Sequence, residues 1–120
     1  MTVQVMHNPV DVEQRIRDVS ERISNGVSVC DRRYRVFLEA DRAYDAAFAR
    51  AYMGHPGAAH EKRYAAELAT TAEREARDTA DAAYRYADRQ ARALQDELRA
   101  WQSVGASMRA MYAVAGVGER

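Results

Sequence analysis

The seven-residue spacing of apolar side chains constrains this chain more than any other feature. Ile16, Ile23, Cys30, Phe37, Tyr44 and Ala51 follow one another at intervals of seven. So do Ala80, Ala87, Leu94, Trp101 and Met108, with Tyr84, Ala91, Leu98, Gly105 and Tyr112 as a parallel series. An α-helix turns once in 3.6 residues, so a seven-residue repeat returns to nearly the same face. Two offset series then make the seam of a coiled coil. The first half of the chain carries a second, less regular series: Val12 and Val19, then Val27, Tyr34 and Phe48 one residue late.

Proline and glycine divide the repeat. Asn8-Pro9-Val10-Asp11 reads as a helix start, with Asn8 as N-cap, Pro9 at the first helical position and Asp11 in the first turn. Gly54-His55-Pro56-Gly57 reads as the one reversal. There Gly54 takes the left-handed conformation that ends a helix, and Pro56 opens the next. Between these points Asn25-Gly26 is a strong turn dipeptide. The unbroken Ile16 to Ala51 series favours a continuous helix kinked there, and a split into two helices is the alternative.

The expected fold is therefore all-α, a long antiparallel helical hairpin. A leader spans 1–8, helix one 9–53, the turn 54–57 and helix two 58–112, followed by a flexible tail over 113–120. At about 1.5 Å per residue the helices are about 65 Å and 80 Å long. Near the turn, Tyr64, Leu68, Ala72 and Ala76 step by four, so the stripe is expected to drift around helix two there. The opposite faces carry acid-before-base pairs at i, i+4: Glu13–Arg17, Asp18–Arg22, Asp31–Arg35, Glu73–Arg77, Asp81–Arg85 and Asp88–Arg92. Such pairs mark solvated faces and add only about 0.2–0.5 kcal/mol each.

Charge and composition exclude several functions. The 18 basic residues balance the 18 acidic ones, which argues against strong non-specific attraction to nucleic acid or membrane. No run approaches the roughly 20 apolar residues of a membrane span, and the N-terminus lacks the pattern of a signal peptide. An intracellular, cytoplasmic bacterial protein is the expectation. The single cysteine, Cys30, allows no intramolecular disulfide and lies on the apolar repeat as a small hydrophobe.

Catalysis needs a pocket that shifts pKa values, and neither Glu73 with Arg77 nor the pair Asp96 and Glu97 comes with one. His55, His60 and Glu61 flank the turn without a recognised metal-ligand spacing, and His7 gives no further handle. No catalytic residue, metal or cofactor is assigned, and the chain is read as a non-enzyme.

Two kinds of binding remain open. Arg85, Arg89, Arg92 and Arg99 lie on helix two near Tyr86, in a stretch from 82 to 112 with five basic and three acidic residues. Arginine beside an exposed aromatic suits single-stranded DNA, through phosphate contacts and base stacking. Alternatively, a two-helix seam leaves apolar side chains such as Val36, Leu38, Tyr86, Val104 and Met111 uncovered, and a second copy would cover them. A homodimer is expected, with Leu94, Leu98, Trp101, Met108, Tyr112, Phe37 and Tyr44 as its candidate interface. A different protein partner satisfies the same physics.

The stretch from Ala82 to Tyr112 resembles small helical-hairpin accessory proteins of phages and prophages of Gram-positive bacteria. The pattern R-x-L-x-x-x-L-x-x-x-Q-S-x-x-x-x-x-R-x-x-Y is met by Arg92, Leu94, Leu98, Gln102, Ser103, Arg109 and Tyr112. That resemblance extends loosely over residues 30–112 and implies a role in DNA recombination or single-stranded DNA handling. The chain is also similar in length and topology to secreted hairpins of the WXG100 type of actinobacteria, with Tyr84 and Asp88 in the place of their Tyr-x-x-x-Asp/Glu signal. Here that signal falls inside a helix, and the turn lacks Trp-x-Gly.

Overall fold

A computed structural model describes residues 8–118. It is all-α among those residues, with α1 at Pro9–Gly54, α2 at Ala59–Ala69 and α3 at Thr71–Gly118. The chain is a helical hairpin that divides into two compact units. Unit 1 joins Met1–Val27 to Gln90–Arg120, and unit 2 is Ser28–Arg89. His7 and all of the expected leader except Asn8 lie outside the described residues.

Helix α1 starts as its sequence requires. The Asn8 side chain accepts a 2.8 Å hydrogen bond from the Asp11 amide, satisfying one donor that a helix N-terminus leaves without a partner. The helix then runs through Asn25-Gly26 without a break.

In unit 1, α1 and α3 run antiparallel. Val12 lies 3.4 Å from where a Cβ on Gly105 would stand, and the Arg15 guanidinium lies 5.8 Å from the Trp101 ring centre. Val12, Val19 and Leu94 are buried, while Ile16, Ile23, Leu98, Trp101 and Met108 are half-buried beside them. In unit 2 the antiparallel order shows in three contacts. Arg33 donates to the Ala83 carbonyl at 3.2 Å, the Tyr34 and Tyr84 rings lie 5.0 Å apart, and Arg77 covers Tyr44 at 4.5 Å.

Burial corrects the expected seam in three places. On α1, the residues that turn inward after Val12 and Val19 are Gly26, Arg33, Ala40 and Ala47; Val27 and Tyr34 are exposed. The second series therefore keeps its seven-residue interval without a slip, and its occupants are small or charged. On the second arm, the stripe does not drift. Ala66, Thr70, Glu73 and Arg77 continue both seven-residue series toward the turn, while Tyr64 and Leu68 are 56% and 80% exposed. The third correction concerns ion pairs. Arg77 bonds Asp78 at 3.3 Å and stacks on Tyr44, so it does not pair with Glu73; Asp18 accepts from Gln14 at 2.8 Å. Glu13–Arg17, Asp31–Arg35 and Asp81–Arg85 do form.

The second arm is also two helices, not one. Thr70 and Thr71 each turn the side-chain hydroxyl back onto a carbonyl of the preceding turn, Ala66 at 2.7 Å and Leu68 at 3.2 Å. Threonine hydroxyls in this position compete with the backbone ladder and bend helices, and two β-branched residues in succession add to the effect. Thr70 accordingly leaves the helical region, at φ −116° and ψ 23°. At its far end α3 continues to Gly118, through six of the residues expected to form a flexible tail.

At the reversal, α1 includes Gly54, and the left-handed residue is Gly57 at φ 114°. A side chain at Gly57 would meet the Glu61 carboxylate. Helix α2 begins only after Ala58, which offers no side-chain cap.

Candidate partner-binding surface

The candidate interface residues divide into those that hold the hairpin together and those that remain accessible. Leu94 is buried in unit 1, with Leu98, Trp101 and Met108 half-buried on the same face of α3. Phe37 and Tyr44 are half-buried in unit 2, where Phe37 lies 6.4 Å from Tyr34 and Tyr44 lies 6.1 Å from Phe48. These six face inward within their own unit. Tyr112 differs: it is 60% exposed.

Tyr112 belongs to the stretch of α3 that outlasts α1. Val12 meets Gly105, and Pro9 and Met108 line one wall system at the start of α1, so in an antiparallel pair the residues after Met108 pass the first turn of α1. Two features follow. Pro9, Val12, Ile16, Gly105, Met108 and Tyr112 enclose a groove of about 290 Å³, rimmed by Glu13 and Arg109. Gly105 contributes to it directly, because the missing side chain leaves open a seam position that any other residue would fill. Beyond the groove, Ala110, Met111, Val114 and Ala115 form a second apolar patch, with Met111 70% and Val114 73% exposed. From Ala110 to Gly118 no side chain is charged.

The arginine set has a different character. Arg85 holds Asp81 through Nε at 3.0 and 3.1 Å, and Arg99 holds Asp96 at 3.4 Å. Arg92 is engaged as well. Arg89 is exposed, as is Tyr86. An arginine bonded to a carboxylate presents less net charge to a phosphate, so this face is weaker electrostatically than its count of cations implies.

His55, His60 and Glu61 are all exposed, and no three His, Cys, Asp or Glu side chains cluster as a metal site among the described residues. Cys30 is a free, half-buried thiol on the seam. No helix among the described residues is long and apolar enough to cross a membrane.

The accessible end of α3 was only partly visible in the sequence. Tyr112 and Met111 stood out as apolar residues near the end of the repeat. From the sequence alone Val114 and Ala115 read as part of a tail, because two glycines close together suggest fraying. The signal that could have found them is the continued spacing of Trp101, Met108 and Ala115, another step of seven. No protein-family model, curated protein or solved structure matches this chain.

Proposed function

We propose that this chain is a non-enzymatic binding module, an accessory protein of the phage type, that acts by presenting the uncharged end of α3 to another polypeptide. The observation that carries this reading is the contrast between its surfaces. On the charged faces several arginines are held by neighbouring carboxylates, as in Asp81–Arg85 and Asp96–Arg99, whereas Met111, Tyr112 and Val114 are large apolar groups left in water. Exposed apolar residues clustered on one rigid element mark an interaction surface more often than a solvated one. The groove next to them supplies a concave wall for an inserted side chain.

The phage context rests on the resemblance of Ala82 to Tyr112. A DNA-handling role of the same family type would rest on Arg89 and Tyr86, with Arg85 and Arg99 already held by carboxylates. The secreted-hairpin reading is further weakened by Tyr84, which is half-buried against the Tyr34 ring and so not free to act as a sorting signal.

The test places a photo-crosslinking residue at Met111 and, separately, at Arg89, in cells that produce the protein. The expected result is a discrete protein adduct from Met111 and none from Arg89. Anisotropy with a labelled single-stranded oligonucleotide completes it. Salt-sensitive binding at micromolar concentration, lost on Arg89→Ala, together with no adduct from Met111, would replace the proposal with DNA handling.

A further inference from the structure

Unit 2 has an apolar flank, and we infer that a second copy of this chain packs against it face to face, about a two-fold axis at Val36. This surface is separate from the end of α3 and does not depend on the reading given to that end.

The flank is built from both arms. Arg33, turned into the seam, donates to the Ala83 carbonyl, and the next residue, Tyr34, meets Tyr84 on the other side. Val29 and Val36 stand four residues before and three after Arg33, which places them on the Ala83 side. Thr79 and Tyr86 stand four before and three after Ala83. Val36 and Tyr86 are 53% and 59% exposed.

Charge selects the occupant. On α1, Arg32 stands one turn before Val36 and Glu39 one turn after it; both are exposed, and neither has an ion pair among the described residues. At about 10 Å apart along the axis they do not pair within one helix. In an antiparallel crossing at Val36, each Arg32 comes within one residue of the level of Glu39 in the second copy. The second arm repeats the pattern. Glu75 and Arg89 are also exposed and without an ion pair, and a crossing between Ala82 and Ala83 brings each within one residue of the other's counterpart. Size agrees: Val29 falls opposite Ala43, and Tyr86 opposite Thr79, the larger against the smaller.

The two crossings share one axis. Because Tyr34 meets Tyr84 in an antiparallel pair, Val36 lies level with Ala82. A single two-fold axis therefore sets α1 against α1 and α3 against α3, as a self-complementary interface requires. A different protein would need no such coincidence. From Val29 to Ala43 the contact is about 21 Å long, small for a permanent dimer, so association falls in the micromolar range.

Sedimentation equilibrium on the intact protein, across a concentration series, tests this. The expected mass rises from 13.5 kDa toward twice that value. Arg32→Glu sets like charges against each other and weakens association at least about tenfold, and adding Glu39→Arg restores it. Both positions are exposed, so helicity stays unchanged. Val36→Cys in a Cys30→Ser background reads the crossing: oxidation gives disulfide dimers, whereas Asp45→Cys, on the Tyr34 side, gives none. Any adduct of this pairing at Arg89 has twice the chain mass, which separates it from an adduct with a different protein. A monomer at every concentration overturns self-pairing and makes a different protein the occupant to seek. A dimer indifferent to Arg32→Glu, or one that Glu39→Arg does not rescue, overturns this face as its interface.

Discussion

From Val12 to Ile23, the inward positions of α1 hold Val12, Ile16, Val19 and Ile23, facing Leu94, Leu98, Trp101, Gly105 and Met108. From Cys30 to Ala51, positions of the same spacing hold Cys30, Arg33, Phe37, Ala40, Tyr44 and Ala47. Those lie in one unit with Ala66, Thr70, Glu73, Arg77, Ala80, Tyr84 and Ala87. The repeat is identical in both units and its chemistry is not. Unit 1 buries aliphatic groups, whose contribution is non-directional and follows area, about 25 cal/mol per Å². Unit 2 places Arg33, Glu73 and Arg77 on the seam and finds specific partners for the two cations, the Ala83 carbonyl and the Tyr44 ring. One oxygen of Glu73 is left buried with no partner among the described residues. Charged groups on a helical seam cost stability, and their best-attested use is to fix register, because a shifted pairing would strand them. Two alanine-rich helices otherwise offer many nearly equivalent registers. The expectation that follows is that the aliphatic unit supplies the larger share of adhesion and the charged unit selects one alignment.

Substitutions in the two units should consequently differ in sign. The largest effect is expected for Leu94→Ala, which removes a buried aliphatic side chain from unit 1 and should cost about 2–3 kcal/mol in urea denaturation. A cost below about 1 kcal/mol would mean that unit 1 is not the adhesive half. Glu73→Leu, the matching change in unit 2, should raise stability by about 1 kcal/mol, because it removes a buried oxygen that lacks a partner. A drop in the denaturation midpoint would show that Glu73 has a compensating interaction in solution.

Gly26→Ala comes next. Beyond the neighbouring residues and backbone of its own helix, no atom lies within 4 Å of where the new Cβ would stand, so a helix-interior glycine is replaced without a packing clash. A gain of about 0.5–1 kcal/mol is expected, read as a higher melting temperature. Smallest of all, Asp81→Asn should cost at most about 0.5 kcal/mol, a difference that disappears as salt is raised. A loss that persisted in high salt would place Asp81 in a structural role that its half-exposed pair with Arg85 does not suggest.

How much of this was legible beforehand follows from the same contrast. Apolar spacing reveals a seam where the seam is apolar, and in unit 1 the reading of Ile16, Ile23, Leu94, Leu98 and Trp101 as inward positions agrees with their burial. In unit 2 the seam is built from Gly26's successors Arg33, Ala40 and Ala47, and from Thr70, Glu73 and Arg77. A search for hydrophobic residues passes over these and follows Val27, Tyr64 and Leu68 onto the outer face, and Tyr34 to the edge of the seam beside Tyr84. The interval of seven was the better guide there than residue type. The break at Thr70 was missed for a related reason: threonine is an acceptable helix residue by propensity, and only the paired hydroxyl bonds to Ala66 and Leu68 turn it into a boundary. The candidate surface is half legible. The repeat places Tyr112 with Leu94 and Trp101, and spacing alone does not separate an exposed member of a heptad stripe from members buried within the hairpin.

The claim that the charged unit fixes register is tested most directly by pulsed electron spin resonance. Spin labels would be placed at the exposed positions Arg42 and Glu75, both in unit 2, in a Cys30→Ser background. With Arg33, Glu73 and Arg77 intact, a single narrow distance is expected. With all three replaced by leucine, the protein should melt at a higher temperature while the distance distribution broadens or splits into several registers. A variant that melts higher and keeps one narrow distance would contradict the account, since alignment would then be set without the charged seam.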